Sequence, residues 1–146
     1  MEISKSGAQF IKSFEGCRLH AYQDTGGVWT IGYGATGPEI GRNTIWTQDQ
    51  VEARFLEDLS SRAKTLSTLL GNAETTQGQF DAMLSLMYNI GNAAFKKSSV
   101  LREHKARRYS MAASSLLKWN KDNGVVIMGL VRRRIAEKLM YLGELK

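Results

Sequence analysis

Residues 47–70 restrict the fold more than any other stretch. Thr47-Gln48-Asp49-Gln50 reads as a capping box, with the threonine as cap and Gln50 reaching back to the cap backbone. Behind it, Val51, Phe55, Leu59, Ala63, Leu66 and Leu70 recur at steps of four or three, which is one apolar face of one helix. At 1.5 Å per residue that helix runs about 36 Å. A helix of this length suits a strut between a small β-containing lobe and a helical lobe.

The segments on either side of the strut differ in period. Upstream, Ser4 can cap a first helix with Phe10, Ile11 and Phe14 on one face, ending near Glu15-Gly16. Residues 18–34 then read as a hairpin around Gly26-Gly27, flanked by Leu19, Tyr22, Val28, Trp29, Ile31 and Tyr33. Asn43 to Trp46 can add a short third strand. Downstream, Thr76 to Ile90 is helical, Ser98 or Ser99 and then Ser110 and Gly124 open or separate further helices, and Val125 to Leu142 is apolar around Arg132-Arg133-Arg134. Strands end by about residue 46, so the class is α+β.

Composition supports a packed chain: 42% is hydrophobic and there is one proline. The single cysteine, Cys17, excludes an internal disulfide and reads as a small buried hydrophobe. With only His20 and His104 beside it, no zinc-ligand spacing is present, and no metal or cofactor is expected. His20 is expected to face solvent or a cleft. Trp29, Trp46 and Trp119 read as core or cleft-wall residues. No run approaches the roughly 20 apolar residues of a membrane span, and the N-terminus does not read as a signal peptide or anchor. Charge is uneven: −3 over residues 1–90 and +9 over 91–146. A basic half suits a polyanion such as nucleic acid, an anionic membrane or a charged wall polymer, or is simply a solvated cationic surface.

Three residues stand out in "SFEGCRLHAYQDTGGVWTIGYG". Glu15 sits at the negative end of a helix dipole beside Phe14 and Leu19. Both settings oppose ionisation, and a carboxyl that keeps its proton is a proton donor. The same residue also reads as a surface glutamate paired with Lys12 or Arg18. Asp24 stands at the mouth of a glycine turn, where aspartate is favoured for backbone bonding and stays ionised. Two acids held in opposite states are the mark of an acid/base pair. Thr30 depends on register. A three-residue loop Thr25-Gly26-Gly27 pairs Tyr22 with Thr30 and puts Asp24 and Thr30 on one face. A two-residue loop puts them on opposite faces. Together the three suggest glycoside hydrolysis, with one carboxyl protonating the leaving oxygen while the other works from the opposite side of the sugar.

The stretch from Phe14 to Gly34 resembles the phage-type lysozymes, the endolysins of glycoside hydrolase family 24. It contains their Glu-Gly, Leu-x-Ala-Tyr-x-Asp and Gly-x-x-Thr-x-Gly-x-Gly elements. "QFDAMLSLMYNIGNAAFKKSSVL" and "KWNKDNGVVIMGLVRRRIAEKLM" extend the resemblance over nearly the whole chain. One departure is local: "REHKARRYS" stands where the family often has Asn-x-Gly-Asp.

The resemblance implies a single lysozyme domain over residues 1–146, two-lobed. A β-containing lobe covers about residues 13–60, and residues 1–12 with 70–146 form a helical lobe. It implies a muramidase cutting the β-1,4 bond between N-acetylmuramic acid and N-acetylglucosamine in peptidoglycan. Glu15 would be the general acid, and Asp24 with Thr30 would position the attacking water. Tyr88, Asn89 and Ser98 fall on substrate-binding positions. Arg133 falls on a supporting position, although the triple arginine leaves open which guanidinium meets Glu15. The expected partner is the peptidoglycan glycan strand, met by a monomer without nucleic acid. The protein would wait in the host cytoplasm and be released to the wall through a separate membrane pore protein. Two alternatives stand beside this reading: a lytic transglycosylase on the same bond, and a basic, non-enzymatic binding module.

Overall fold

A computed structural model describes residues 1–145. Helix α1 (Lys5–Phe14) leads into an antiparallel hairpin, β1 (Arg18–Gln23) and β2 (Trp29–Gly32). The strut helix α2 (Gln48–Leu70) and the central helix α3 (Gln77–Ile90) follow. Short helices α4 (Asn92–Lys96), α5 (Ser99–Lys105) and α6 (Tyr109–Leu116) come next, then a second hairpin, β3 (Lys121–Asp122) and β4 (Val125–Val126), and helix α7 (Met128–Tyr141).

The strut forms for the reasons legible in its residues. Gln50 N donates to Thr47 Oγ1 and Thr47 N donates to Gln50 Oε1, closing the capping box, and all six stripe residues are buried. Its 23 residues reach across two separate cores. The smaller holds Ile31, Ala35 and Ile40, covered by Ala21, Trp29 and Trp46. The larger gathers Ile11, the α2 stripe from Phe55 onward, and α3. Every residue from Phe80 to Met87 is buried, so α3 is enclosed on all sides. It packs most extensively against α7. Helix α1 comes close to α3 because residue 7 is glycine: a Cβ there would lie 2.5 Å from the Asp81 carboxylate. That carboxylate accepts from Ser4 N at 3.1 Å, from Ser4 Oγ and from Gln77 Nε2 at 2.8 Å.

Several local expectations change. Helix α1 ends without a left-handed glycine: Gly16 has no positive φ, and Glu15 itself leaves the helix in an extended conformation. Asn43–Trp46 contributes one bridge, His20 to Ile45, rather than a strand. Strands do not end at residue 46. Asn123 and Gly124, with φ of 51° and 77°, form a tight turn between β3 and β4, so Val125 and Val126 are strand and α7 begins at Met128. Cys17 is exposed, not buried, because the chain leaves α1 along the surface before β1 begins. Ser98 caps α5, but Ser110 caps nothing: α6 opens at Arg108 without a side-chain cap. The preceding Arg107 takes φ 61°, a left-handed conformation that strains any side-chain-bearing residue.

His104 is fully buried. Thr75 donates its hydroxyl proton to the Ala73 carbonyl, so it accepts from His104 Nε2 at 2.8 Å, leaving Nδ1 to accept from the Tyr141 hydroxyl at 2.6 Å. Burial holds the imidazole below its ordinary value of 6.5. The native state therefore keeps His104 neutral where the unfolded chain takes up a proton. Stability from this residue is complete above about pH 6.5 and declines as pH falls below it, by at most about 1.4 kcal/mol per pH unit. Urea unfolding at pH 7.5 and 5.5 should show this loss, and His104→Gln should reduce its slope.

Candidate active site

The two cores leave a cleft of about 790 Å³ between them. Glu15, Asp24, Thr30, Tyr88 and Asn89 all line it. Ser98 is not brought there: it is buried, and its hydroxyl accepts from Leu101 N at 3.2 Å as the cap of α5.

Asp24 and Thr30 come from the first hairpin. Tyr22 pairs with Thr30 and Gln23 with Trp29, so the loop is Thr25-Gly26-Gly27 and Asp24 faces Val28. Asp24 Oδ1 accepts from Gly26 N and Val28 N, both at 2.9 Å. The turn thus occupies one carboxylate oxygen, and the exposed side chain keeps the other. Thr30 is buried and donates its hydroxyl proton to the Val28 carbonyl at 2.9 Å, so its oxygen is left as an acceptor.

Glu15 is fixed from the helical side. Arg133 Nη1 donates to its Oε2 at 2.5 Å. Neither alternative partner takes it: Lys12 pairs with Glu52 at 2.5 Å, and Arg18 stacks on the Tyr22 ring. The other oxygen, Oε1, faces Gly34, where a Cβ would stand 3.3 Å from it. Gly34 has φ +89°, so glycine serves both the turn and the open space beside the acid.

The triple arginine separates into three environments. Arg132 is exposed. Arg133 and Arg134 are buried and share Glu137, which is wholly enclosed. Arg134 Nε lies 2.7 Å from Glu137 Oε1 and Arg133 Nε lies 3.4 Å from Oε2. Ser85 Oγ donates to Oε2 at 2.5 Å. Burial pushes the Glu137 carboxyl above the usual carboxylate range, and Arg134 and Arg133 oppose that push. Arg133 Nη2 also donates to the Ser85 carbonyl at 3.2 Å, and Arg134 Nη1 to the Trp119 carbonyl at 3.3 Å. The cluster therefore orients both Glu15 and a cleft-wall residue.

Tyr88 donates its hydroxyl to the Tyr33 carbonyl, so it joins the two sides of the cleft rather than offering that group freely. Sequence reading missed Tyr22 and the wall made by Lys121, Asp122, Ile127 and Leu130. The signal for that wall was Asn123-Gly124, a strong hairpin dipeptide. Among the described residues no group of His, Cys, Asp and Glu is arranged to hold a metal ion.

The family model described as Phage lysozyme matches residues 12–137. An endolysin of Acyrthosiphon pisum secondary endosymbiont phage 1 is 40% identical over 145 residues, covering 97% of this chain and 98% of its own. An endolysin of Bacillus phage B103 is 39% identical over 149 residues, and the chain spans 56% of that longer protein. Among solved structures, the muramidase domain of SpmX from Asticaccaulis excentricus superposes with a TM-score of 0.87 at 37% identity, covering 97% of each chain.

Removing Glu137 would leave two buried guanidinium groups without their shared anion. Glu137→Ala should lower stability by about 3–5 kcal/mol. Arg132→Ala, at an exposed position, should change it by less than about 0.5 kcal/mol. Urea titration of both variants checks the contrast.

Proposed function

Because the chain belongs to the phage lysozyme family, we propose that it is a muramidase that hydrolyses the β-1,4 bond between N-acetylmuramic acid and N-acetylglucosamine in peptidoglycan. The observation that carries this reading is the cleft itself. One acid is held from the helical side by a buried arginine, and a carboxylate with a hydroxyl stands on the hairpin opposite.

In this reading Glu15 donates its proton to the glycosidic oxygen as the bond to the anomeric carbon breaks. Arg133 remains on Oε2, which leaves Oε1, beside Gly34, to carry the proton. Water attacks the anomeric carbon, and Asp24 takes its proton on the oxygen that the turn does not use. Thr30 can accept the water's second hydrogen, because its own proton is committed to Val28. The two hydrogen bonds fix the water's orientation and leave a lone pair for the attack. Asp24 is thus a base whose position is set by the backbone of its own turn. Tyr88 and Asn89 are proposed as sugar contacts.

The substrate lies in the cell wall. No described helix is long and apolar enough to cross a membrane. A separate pore protein is proposed as the route from the host cytoplasm to the wall, with the protein acting there as a monomer.

Glu15→Gln should reduce release of reducing ends from purified peptidoglycan by about 10²–10⁴-fold, the usual worth of a positioned acid, while the circular dichroism spectrum stays native. Undiminished activity in that variant would remove Glu15 from the reaction. Mass spectrometry of the fragments separates hydrolysis from its rival: anhydro ends in place of reducing ends would identify a transglycosylase.

A further inference from the structure

The formal charge of +6 is concentrated in one region. Residues 96–118 carry seven Lys and Arg against one acid, Glu103, so this segment alone accounts for the whole excess. Glu103 is itself met by Arg108 at 2.5 Å and by Arg102 at 3.6 Å. Lys96, Lys97, Lys105, Arg107 and Lys118 are exposed, and among the described residues none of the five makes an ion pair. Helix α5 packs on both α4 and α6, so the exposed sides of these three cation-bearing helices adjoin.

That surface contains a groove of about 480 Å³ between α5 and α6. Arg102 and Lys118 line it together with the hydroxyl-bearing residues Ser99, Ser110 and Ser114, and the neutralised Glu103 also contributes. It shares no lining residue with the catalytic cleft, whose charged residues are Glu15, Asp24, Asp122 and one lysine, Lys121. The cations are therefore not arranged for the sugar in the cleft. Two cations beside several hydroxyl donors suit a phosphate, which accepts from O–H and N–H groups on several oxygens. Further exposed cations on the adjoining α4 and on the α5–α6 connection suit a chain of phosphates rather than one.

We propose that the α4–α6 surface docks a phosphodiester-linked polyanion of the cell envelope, held in the α5–α6 groove while the cleft engages the glycan. This inference rests on the wall-directed reading above. Docking at a second surface would retain the protein on the wall between cleavage events, and salt would weaken it by restoring counterions to the polymer.

Arg107 makes the proposal separable from stability. Its φ of 61° is one that glycine adopts without strain, so Arg107→Gly removes a charge while relaxing the backbone. The test compares cosedimentation of the protein with purified walls that carry phosphodiester polymers and with the same walls stripped by hydrofluoric acid. The wild type should bind the phosphate-bearing walls about tenfold or more tightly at low salt, with affinity falling steeply as NaCl rises. The variant R102Q/R107G/K118Q should lose about tenfold on phosphate-bearing walls and nothing on stripped walls. Its release of reducing ends from stripped walls should equal that of the wild type. Should the triple variant melt earlier than the wild type, Arg107→Gly alone should still bind the phosphate-bearing walls about threefold more weakly with no loss of melting temperature.

Equal binding of wild type and variants to phosphate-bearing walls would overturn the proposal, as would equal wild-type binding to both wall types. Tighter wild-type binding to duplex DNA than to phosphate-bearing walls, at equal phosphate concentration, would also overturn it and assign the surface to nucleic acid. Failure of the wild type to release reducing ends from stripped walls, with phosphate-dependent binding intact, would instead overturn the hydrolase reading and leave the docking surface standing.

Discussion

Glu137 is the anion on which the site is built. A carboxylate with no solvent exposure is costly unless cations and hydrogen bonds surround it, and Arg133, Arg134 and Ser85 do so. Buried clusters of this kind contribute little net stability compared with an apolar replacement, but they tolerate few arrangements. Here that restriction is put to use. With Glu137 and Ser85 directing the Arg133 guanidinium, its remaining donor points at Glu15. With Glu137 holding Arg134, another donor holds the Trp119 backbone at the cleft wall.

The hairpin side of the cleft relies on different physics. Its core is only Ile31, Ala35 and Ile40 with partial cover, and side-chain burial alone would position Asp24 loosely. Backbone hydrogen bonding supplies what packing lacks. Two amides of the turn hold one oxygen of Asp24, and the Val28 carbonyl holds Thr30. The strut α2 joins this small unit to the large core. Val51 packs at Gly32 and Phe55 packs among the helices, four residues further along the same stripe.

The parts legible in sequence are those governed by local rules. The α2 stripe with its capping box and the Ser4 cap follow from spacing and turn chemistry over a few residues, whereas sequence alone allows either a two- or a three-residue hairpin loop and either Ser98 or Ser99 as a cap, and the fold selects between them. Glu15, Asp24, Thr30, Tyr88 and Asn89 reach one cleft, as the motif suggested, whereas Ser98 does not, because a serine before a helix is used by the helix. The second hairpin was signalled by Asn-Gly but masked by the apolar run that follows, which reads equally as helix. Cys17 was misplaced because a residue type's average burial says nothing about a connecting segment that follows the surface. The partition among Arg132, Arg133 and Arg134 was not legible, since it depends on Ser85 and Glu15, which are remote in sequence.

That remoteness has a consequence for biosynthesis. The hydrogen bond between Arg133 and Glu15 spans 118 positions of the chain. During vectorial synthesis the hairpin and the strut helix emerge from the ribosome long before α7 exists. A nascent chain therefore carries both acids without the guanidinium that seats one of them. The ion pair between Arg133 and Glu15 is completed only by closing a loop that encompasses most of the sequence, so the cleft takes its final form late in folding.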